Sequence, residues 1–188
     1  MKIDGVSPDY LRSHMQVFPG TSGSQTSYPT ATASVTGGYL MIGGGGIDNW
    51  NSFPNAWGNM LTASYPSSSN TWTVSGKDHR KTSGSTIDAY AIGIQNISYP
   101  TVGYLQVSYS QGNNYGPLER ISYCQVPGGW AVTCCGGWLN WPGTLGRLIE
   151  GIYPYNNAPT YVYEESKDHY YSAACDNWVY AMRLQKAL

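Results

Sequence analysis

The chain has 188 residues, of which only 11% are charged, and its formal net charge is −1 with a pI of about 6.2. That length is enough for one domain with a substantial core or for two small domains. A near-neutral chain without runs of like charge excludes an electrostatic surface for nucleic acid, and the lack of an apolar stretch of about 18 residues excludes a predicted transmembrane helix.

The predicted elements begin with one helical turn at residues 7–14, "SPDYLRSH", where Ser7 is the cap and Pro8 is the first helical residue. Strand-like segments follow: "ATASV" and "YLMIGG" flank a Thr-Gly-Gly turn, "NMLTASY" and "TWTVSG" flank the turn at 66–70, and "IDAYAIGI" nearly alternates. In the second half, "ERISYCQV" and "WAVTCCGG" flank a Pro-Gly-Gly turn. The 23 glycines and 11 prolines favour an all-β chain with many turns.

The two halves of the chain repeat one another at a spacing of about 90 residues. Matching pieces include Asn49-Trp50 with Asn140-Trp141, and Lys77-Asp78-His79 with Lys167-Asp168-His169. We therefore divide the chain into an N-terminal segment, a first β repeat, a connector and a second β repeat, at 1–12, 13–95, 96–102 and 103–188.

The predicted fold class is all-β. It consists of two pseudo-repeated antiparallel β units, each of about 90 residues, packed with pseudo-twofold symmetry in a sandwich-like, barrel-like or prism-like arrangement. The joining segment "QNISYPTVG" is short and lacks a flexible composition, which favours one compact body over two abutting domains.

The first repeat contains the pieces "GYLMIGGGG", "NW", "GNMLTASYP", "TW", "GKDH" and "YAIGI". In this it resembles a tandem β module of secreted and hypothetical bacterial proteins, whose pattern is an aromatic residue, GGG, NW, GNLLTASYP, W, SKDH and AIG. The second repeat keeps the skeleton but departs in detail, with "RLIEGIYP" in place of "NMLTASYP". The resemblance implies the repeated β module and no particular activity.

Four consecutive glycines at 43–46 raise the possibility of a phosphate-binding loop. Such a loop needs a following lysine or a strand-to-helix turn, and neither is present. The second repeat has Cys134 and Cys135 in place of the first two glycines. We interpret the remaining glycine pair as the end of a strand, with a bulge or a close approach of two backbones.

The repeated Asp-His pairs have two interpretations. Asp can accept backbone N–H bonds at a strand end while His packs and bonds a carbonyl, or the two can form a polar ligand site or an acid–base dyad. Adjacent residues of a strand face opposite sides, so a shared site needs a bulge or a turn. Since His14 is the only histidine outside the pairs, we predict no metal and no cofactor.

Aromatic residues with neighbouring Asn and Asp are typical of shallow carbohydrate sites, and the chain has 17 Tyr and 7 Trp against 2 Phe. The segments 47–59 and 138–143 have this composition, although packing in the core is the alternative for each ring. The predicted ligand-binding residues are Asn49, Trp50, Trp57, Asp78, His79, Trp138, Asn140, Trp141, Asp168 and His169.

Four cysteines, all in the second repeat, permit two disulfides. A bond between the adjacent Cys134 and Cys135 is unfavourable in a strand, which leaves Cys124 and Cys175 to reach that pair in either order. Bridges would imply an oxidising compartment, while four buried thiols in a cytosolic protein are the alternative. The spacing disfavours a zinc site.

These features favour a non-enzymatic binding protein, lectin-like or adhesin-like, with a glycan or glycoprotein surface as partner and a homo-oligomer as an open alternative. A toxin, insecticidal or pore-forming, or a virion or surface component is the second hypothesis, motivated by the alternating polar segment 21–36. A hydrolase that uses the Asp-His pairs is a minor third hypothesis, and we predict no catalytic residue.

We expect a secreted or surface-exposed protein, with a cytoplasmic location as the alternative, although the chain shows no signal-peptide pattern.

Overall fold

A computed structural model describes most of the chain. It covers residues 7–23, 26–50, 59–78, 84–99, 103–116, 120–140, 147–155, 158–168 and 174–187, with the backbone alone at 50, 158 and 159. The described residues form one short helix and a series of strands, so the all-β prediction is confirmed.

The helix and the strands follow one another with short connections. Helix α1 spans Pro8–Ser13, and the Ser7 side chain accepts a hydrogen bond from the Tyr10 N–H at 3.2 Å, as an N-cap does. The first six strands are β1 (Met15–Thr21), β2 (Thr30–Ser34), β3 (Tyr39–Trp50), β4 (Asn59–Pro66), β5 (Thr71–Asp78) and β6 (Ser85–Gln95). The next six are β7 (Leu105–Gly116), β8 (Arg120–Gln125), β9 (Ala131–Asn140), β10 (Arg147–Tyr155), β11 (Ala158–Asp168) and β12 (Cys175–Lys186).

Antiparallel pairing joins these strands into three sheets. Two sheets have three strands each, in the orders β1-β6-β3 and β10-β11-β8. The third has six strands in the order β2-β5-β4-β9-β12-β7. The middle of this sheet is a short contact in which Ala63 lies opposite Trp138 and Ser64 opposite Gly137, so one sheet contains strands of both halves.

Strand order and register are the same in the two halves. The order β1-β6-β3 corresponds to β7-β12-β9, and β2-β5-β4 corresponds to β8-β11-β10. Asn59 lies opposite Asp78 at the start of β4, as Arg147 lies opposite Asp168 at the start of β10. Unpaired bulge residues also fall at corresponding places, which are Ile42 and Thr62 in one half and Thr133 and Glu150 in the other. The internal repeat and a pseudo-twofold axis between the halves stay predictions.

Two clusters of buried residues form the core. In the first, the alternation of β2 and β5 directs Ala31, Ala33, Trp72 and Val74 towards the sheet β1-β6-β3. The second cluster contains Cys124, Val126, Val162, Val179 and Ala181. Met182 of β12 is 1% exposed and belongs to the first cluster, so the second half contributes to the core of the first.

The four glycines at 43–46 lie inside β3, which continues to Trp50, and not at the end of a strand as predicted. Their role is close packing. A Cβ atom at Gly44 would overlap the Trp72 ring, and one at Gly46 would lie 2.7 Å from a Val74 methyl carbon. The contacts with Trp72 and Val74 are with side chains, so the predicted close approach of two backbones stays a prediction, and the bulge lies one residue before the glycines.

All four cysteines are free thiols, which corrects the expectation of disulfides at Cys124, Cys134, Cys135 and Cys175. Cys135 lies opposite Ala181, six residues along β12 from Cys175. At about 3.4 Å per residue the two cysteines are about 20 Å apart, far beyond the roughly 7 Å that a disulfide spans. Cys134 and Cys135 face opposite sides of β9, towards different core clusters.

Within the described residues, no helix is long and apolar enough to cross a membrane. The segment 21–36 contributes β2, whose alanines lie in the core and whose Thr30, Thr32 and Ser34 are exposed.

Candidate ligand-binding site

The candidate site lies on the outer face of the six-stranded sheet, where β9, β12 and β7 are neighbours. Trp178 of β12 lies between Trp138 of β9 and Asn113 of β7. Two residues along the strands, Asp176 lies opposite Asn140. Because residues two apart in a strand face the same side, these five side chains project from one face.

Four aromatic rings form what we call the aromatic floor, namely Tyr65, Trp138, Trp178 and Tyr180. The Tyr65 and Trp138 rings are stacked, with centroids 5.3 Å apart and planes 8° apart, and Trp138 and Trp178 are 6.4 Å apart. Tyr180 lies 5.1 Å from Tyr65 and 6.5 Å from Trp178. Aromatic pairs of this kind add about 0.5–1.5 kcal/mol beyond the area they bury, so the ring contacts stabilise the floor.

The face passes from core to surface along the strands. Met182 is enclosed and Tyr180 is 6% exposed, whereas Trp178 and Asp176 are half-buried. On the neighbouring strands Asn113 and Asn140 are exposed. The floor is therefore anchored in the protein at one end and accessible at the other.

Three polar side chains border the accessible end, and we call them the polar rim: Asn113, Asn140 and Asp176. Within the described part of the chain none of the three forms a side-chain hydrogen bond. An amide donates and accepts while an ionised carboxylate only accepts. The rim therefore offers both kinds of hydrogen bond to a ligand that lies on the rings.

The phenols of the floor stay neutral. Burial raises the pKa of Tyr65, and burial together with the neighbouring Tyr65 and Tyr109 raises the pKa of Tyr180. The site thus combines apolar ring surface with neutral hydrogen-bonding groups and one carboxylate.

The predicted site residues are distributed over different parts of the molecule. Trp138 and Asn140 lie in the candidate site. Asn49 lies on the outer face of β3, where its amide donates to Asp88 Oδ2 at 2.8 Å. The side chains of Trp50, Trp57, His79, Trp141 and His169 lie outside the described residues.

Asp78 and Asp168 lie at the ends of β5 and β11 and face the interior, away from the aromatic floor. Asp168 Oδ1 is 3.5 Å from Nε of Arg147, whose side chain is fully buried. Two arginine amino groups also donate to the carbonyls of Gly116 and Ser166, at 2.6 and 3.2 Å. The position of Asp168 is therefore that of a structural ion pair.

Sequence reasoning missed Asn113, Asp176, Trp178 and Tyr180. The alternation in "CDNWVYAM" places Asp176, Trp178 and Tyr180 on one face of a strand, and this signal was available. Trp178 lies opposite Trp138 because β12 pairs with β9, and this pairing cannot be read from the sequence.

The corresponding face of the first half is different. There Ile47 lies opposite Asp88, at the places that Trp138 and Trp178 occupy in the second half. Ile47 is exposed, and Asp88 accepts the hydrogen bond from Asn49. Among the described side chains, the stacked floor belongs to the second half, with Tyr65 of β4 added from the first.

A second group of rings covers the outer face of the sheet β10-β11-β8. We call it the tyrosine surface; it consists of Tyr123, Tyr153, Tyr155, Tyr161 and Tyr163. Tyr163 is central, with ring centroids 5.9 Å from Tyr123 and 6.0 Å from Tyr153. Tyr153 donates a hydrogen bond to Glu165, which raises the pKa of this phenol to about 12.

No protein-family model, no curated protein and no solved structure matches the chain.

Proposed function

We propose that the protein is a non-enzymatic carbohydrate-binding protein and that its site is the aromatic floor with its polar rim. The observation that carries this proposal is the cross-strand pair of Trp138 and Trp178, bordered by three polar side chains that have no hydrogen-bonding partner among the described residues. Sugars present C–H faces that pack on aromatic rings and hydroxyl groups that need donors and acceptors. The floor and the rim supply both.

The rim also indicates a substrate class. Asp176 accepts hydrogen bonds from sugar hydroxyls but repels a carboxylate or sulfate, since like charges close together are unfavourable. Asn113 and Asn140 add donors and acceptors on either side of it. We therefore expect neutral sugars to bind better than uronic acids or sulfated sugars.

The experiment is a glycan array with the full chain, followed by calorimetric titration of the best neutral sugar. Trp178→Ala removes the central ring, and we expect at least about tenfold weaker binding, because truncating a hot-spot aromatic costs about 2 kcal/mol or more and about 1.4 kcal/mol is already tenfold. Asp176→Asn keeps the shape and removes the charge, so it should reduce the discrimination against acidic sugars.

The matched control is Tyr123→Ala on the tyrosine surface, which removes an exposed ring outside the floor. Its affinity should equal that of the wild type. A flat array response contradicts the proposal, and so does an affinity that falls with Tyr123→Ala while Trp178→Ala leaves it unchanged.

A further inference from the structure

Strand β7 adds a further aromatic residue to the face that carries the aromatic floor. Tyr115 lies directly opposite Asp176 of β12, and residues directly opposite each other in an antiparallel pair project from the same face of the sheet. Asp176 and Trp178 are two residues apart in one strand, so they also share a face. The Tyr115 ring therefore lies on the same face as Trp178, where it is 63% exposed.

The position of Tyr115 depends on the length of β7. In the first half, β1 ends at Thr21, which lies opposite Asp88. In the second half, Asn113 lies at the corresponding place opposite Trp178, and β7 continues for three more residues. Tyr115 belongs to this extension. The extra length of β7 therefore brings a ring to the accessible end of the floor.

Four side chains of β12 and β7 form a four-cornered pattern in which rings and polar groups alternate. Trp178 lies opposite Asn113, and Asp176 lies opposite Tyr115. The two rings therefore occupy one diagonal of the pattern, with their Cα atoms about 7–8 Å apart, and the amide and the carboxylate occupy the other diagonal. A ligand that passes from one ring to the other has Asn113 on one side and Asp176 on the other.

Together with the floor, Tyr115 forms a line of rings across four adjacent strands. The strand order β4-β9-β12-β7 places Tyr65, Trp138, Trp178 and Tyr115 in succession. The Tyr65 and Trp138 rings are 5.3 Å apart, and the two tryptophan rings are 6.4 Å apart. From Trp138 to Tyr115 the line crosses two strand spacings and moves two residues along the strands, which is about 12 Å. A single sugar ring is shorter than this line, so a monosaccharide leaves part of it uncovered.

We infer that the ligand of this face is a linear neutral oligosaccharide, an inference that rests on the proposed function, and that Tyr115 binds the sugar unit that extends beyond the floor. The translational and rotational cost of association is incurred once, so each further unit that packs on a ring adds affinity. Asn113 and Asp176 hydrogen-bond the hydroxyl groups of the units between Trp178 and Tyr115. Tyr115 is thus a specificity-determining residue that selects for the length of the ligand.

The test is calorimetric titration of the full chain with neutral oligosaccharides that differ only in length. The probes are gluco-, manno- and galacto-oligosaccharides of one to about six units, each with the linkage that gives the strongest signal on the array. We expect the Kd to fall at least about fivefold from the monosaccharide to the trisaccharide and to change little once the ligand covers the line of rings. A Kd that is equal at every length overturns the inference and leaves carbohydrate binding in place. The absence of binding at every length overturns the proposed function and this inference with it.

Variants of Tyr115 separate the outer ring from the floor. Tyr115→Ala should raise the Kd of the trisaccharide and of longer ligands at least about fivefold, as truncation of an aromatic residue in contact with a ligand does, and should leave the Kd of the monosaccharide unchanged. Tyr115→Phe keeps the ring and should bind as the wild type does. The matched control is Tyr104→Ala, because this ring is 57% exposed and lies just before the opposite end of β7.

Two results with these variants overturn the role of Tyr115. One is an equal loss of affinity with Tyr115→Ala at every ligand length, and the other is no loss at any length. If Trp178→Ala weakens binding at every length while Tyr115→Ala follows the wild type, the proposed function stands and only the extension to Tyr115 is wrong. The wild-type length series is decisive even if Tyr115→Ala does not fold.

Discussion

A single buried acid distinguishes the core of the second half. Glu164 is fully buried, and neither of its carboxyl oxygens has a hydrogen-bonding partner among the described residues. Burial raises its pKa to about 8, while Arg147 lowers the pKa and Glu165 raises it. The register places Val74 at the same position of the first half, so this acid lies where a valine is sufficient for packing.

Glu164 makes stability depend on pH. In the unfolded chain this acid has a pKa of about 4.3. Between that pH and about 8 the folded chain therefore binds the proton more tightly than the unfolded chain does. The contribution of Glu164 to the free energy of unfolding is therefore complete below about pH 4 and is lost as the pH rises through about 8. The free energy of unfolding falls over this range by at most about 1.4 kcal/mol per pH unit. Glu164→Gln should remove this loss, and urea unfolding at about pH 5, 7 and 9 measures it.

The control for this pH dependence is Glu150→Gln. Glu150 is exposed, and its carboxylate lies 4.0 Å from the Lys167 ammonium in a surface pair, which contributes little. This variant should follow the wild-type pH profile. A Glu164→Gln profile that equals the wild-type profile shows that the buried acid is ionised throughout and contradicts the prediction.

At the scale of elements, β3 and β9 meet where their bulges lie. Thr133 Oγ1 donates to the Ile42 carbonyl at 2.6 Å, which joins the two bulged residues. One residue further along each strand, a Cβ atom at Gly43 would lie 2.7 Å from Cys134 Cβ. The first glycine of the quartet is therefore required by the contact between the two halves.

Gly43→Ala should destabilise the protein by about 1–3 kcal/mol, the usual cost of an overpacked contact. Gly45→Ala is the control from the same quartet, since nothing lies within 4 Å of its Cβ position, and it should be neutral or slightly stabilising. Cys134→Gly should recover part of the loss when combined with Gly43→Ala. Urea midpoints measure all three, and equal midpoints for Gly43→Ala and Gly45→Ala contradict the contact.

Most strands were predictable from sequence because they alternate and end at turns. The segment "IDAYAIGI" buries every second side chain at Ile87, Ala89 and Ala91, as its pattern predicts. The end of β3 was not predictable from glycine propensity. Its glycines lie under Trp72 and Val74, and that packing depends on the partner sheet and not on β3 itself.

The candidate site was predictable only in part for a related reason. Local composition predicts Trp138 and Asn140 as site residues, whereas Trp178 and Asp176 lie beside them because of the register between β12 and β9. The repetition of Asp168 with His169 predicts ligand binding for this carboxylate. Arg147 precedes Asp168 by about 20 residues, and the sequence does not reveal that the two side chains form an ion pair. Only the register between β10 and β11 brings them together.

At the scale of the whole molecule, the two halves share both a sheet and a core. Pairing of β4 with β9 continues the hydrogen bonding from one half to the other. Met182 of the second half is enclosed by residues of the first, and Val107 and Tyr109 pack against the same cluster. Neither half therefore completes its buried surface alone.

This shared core predicts that the chain unfolds in one cooperative transition. Met182→Ala should lower the free energy of unfolding by about 2–5 kcal/mol, as loss of a fully buried methionine does, and the transition should stay single. Coincident urea curves from far-ultraviolet circular dichroism and from tryptophan fluorescence measure this. Met15→Ala is the control, since Met15 is 40% exposed on β1 and its loss should leave the midpoint nearly unchanged.

If the halves were independent, the two curves would separate, and Met182→Ala would shift one transition and leave the other in place. A single shifted transition would mean that the first half depends on a side chain that follows it by more than 80 residues, because the other fully buried members of the cluster around Met182 all lie between Ala31 and Ala91.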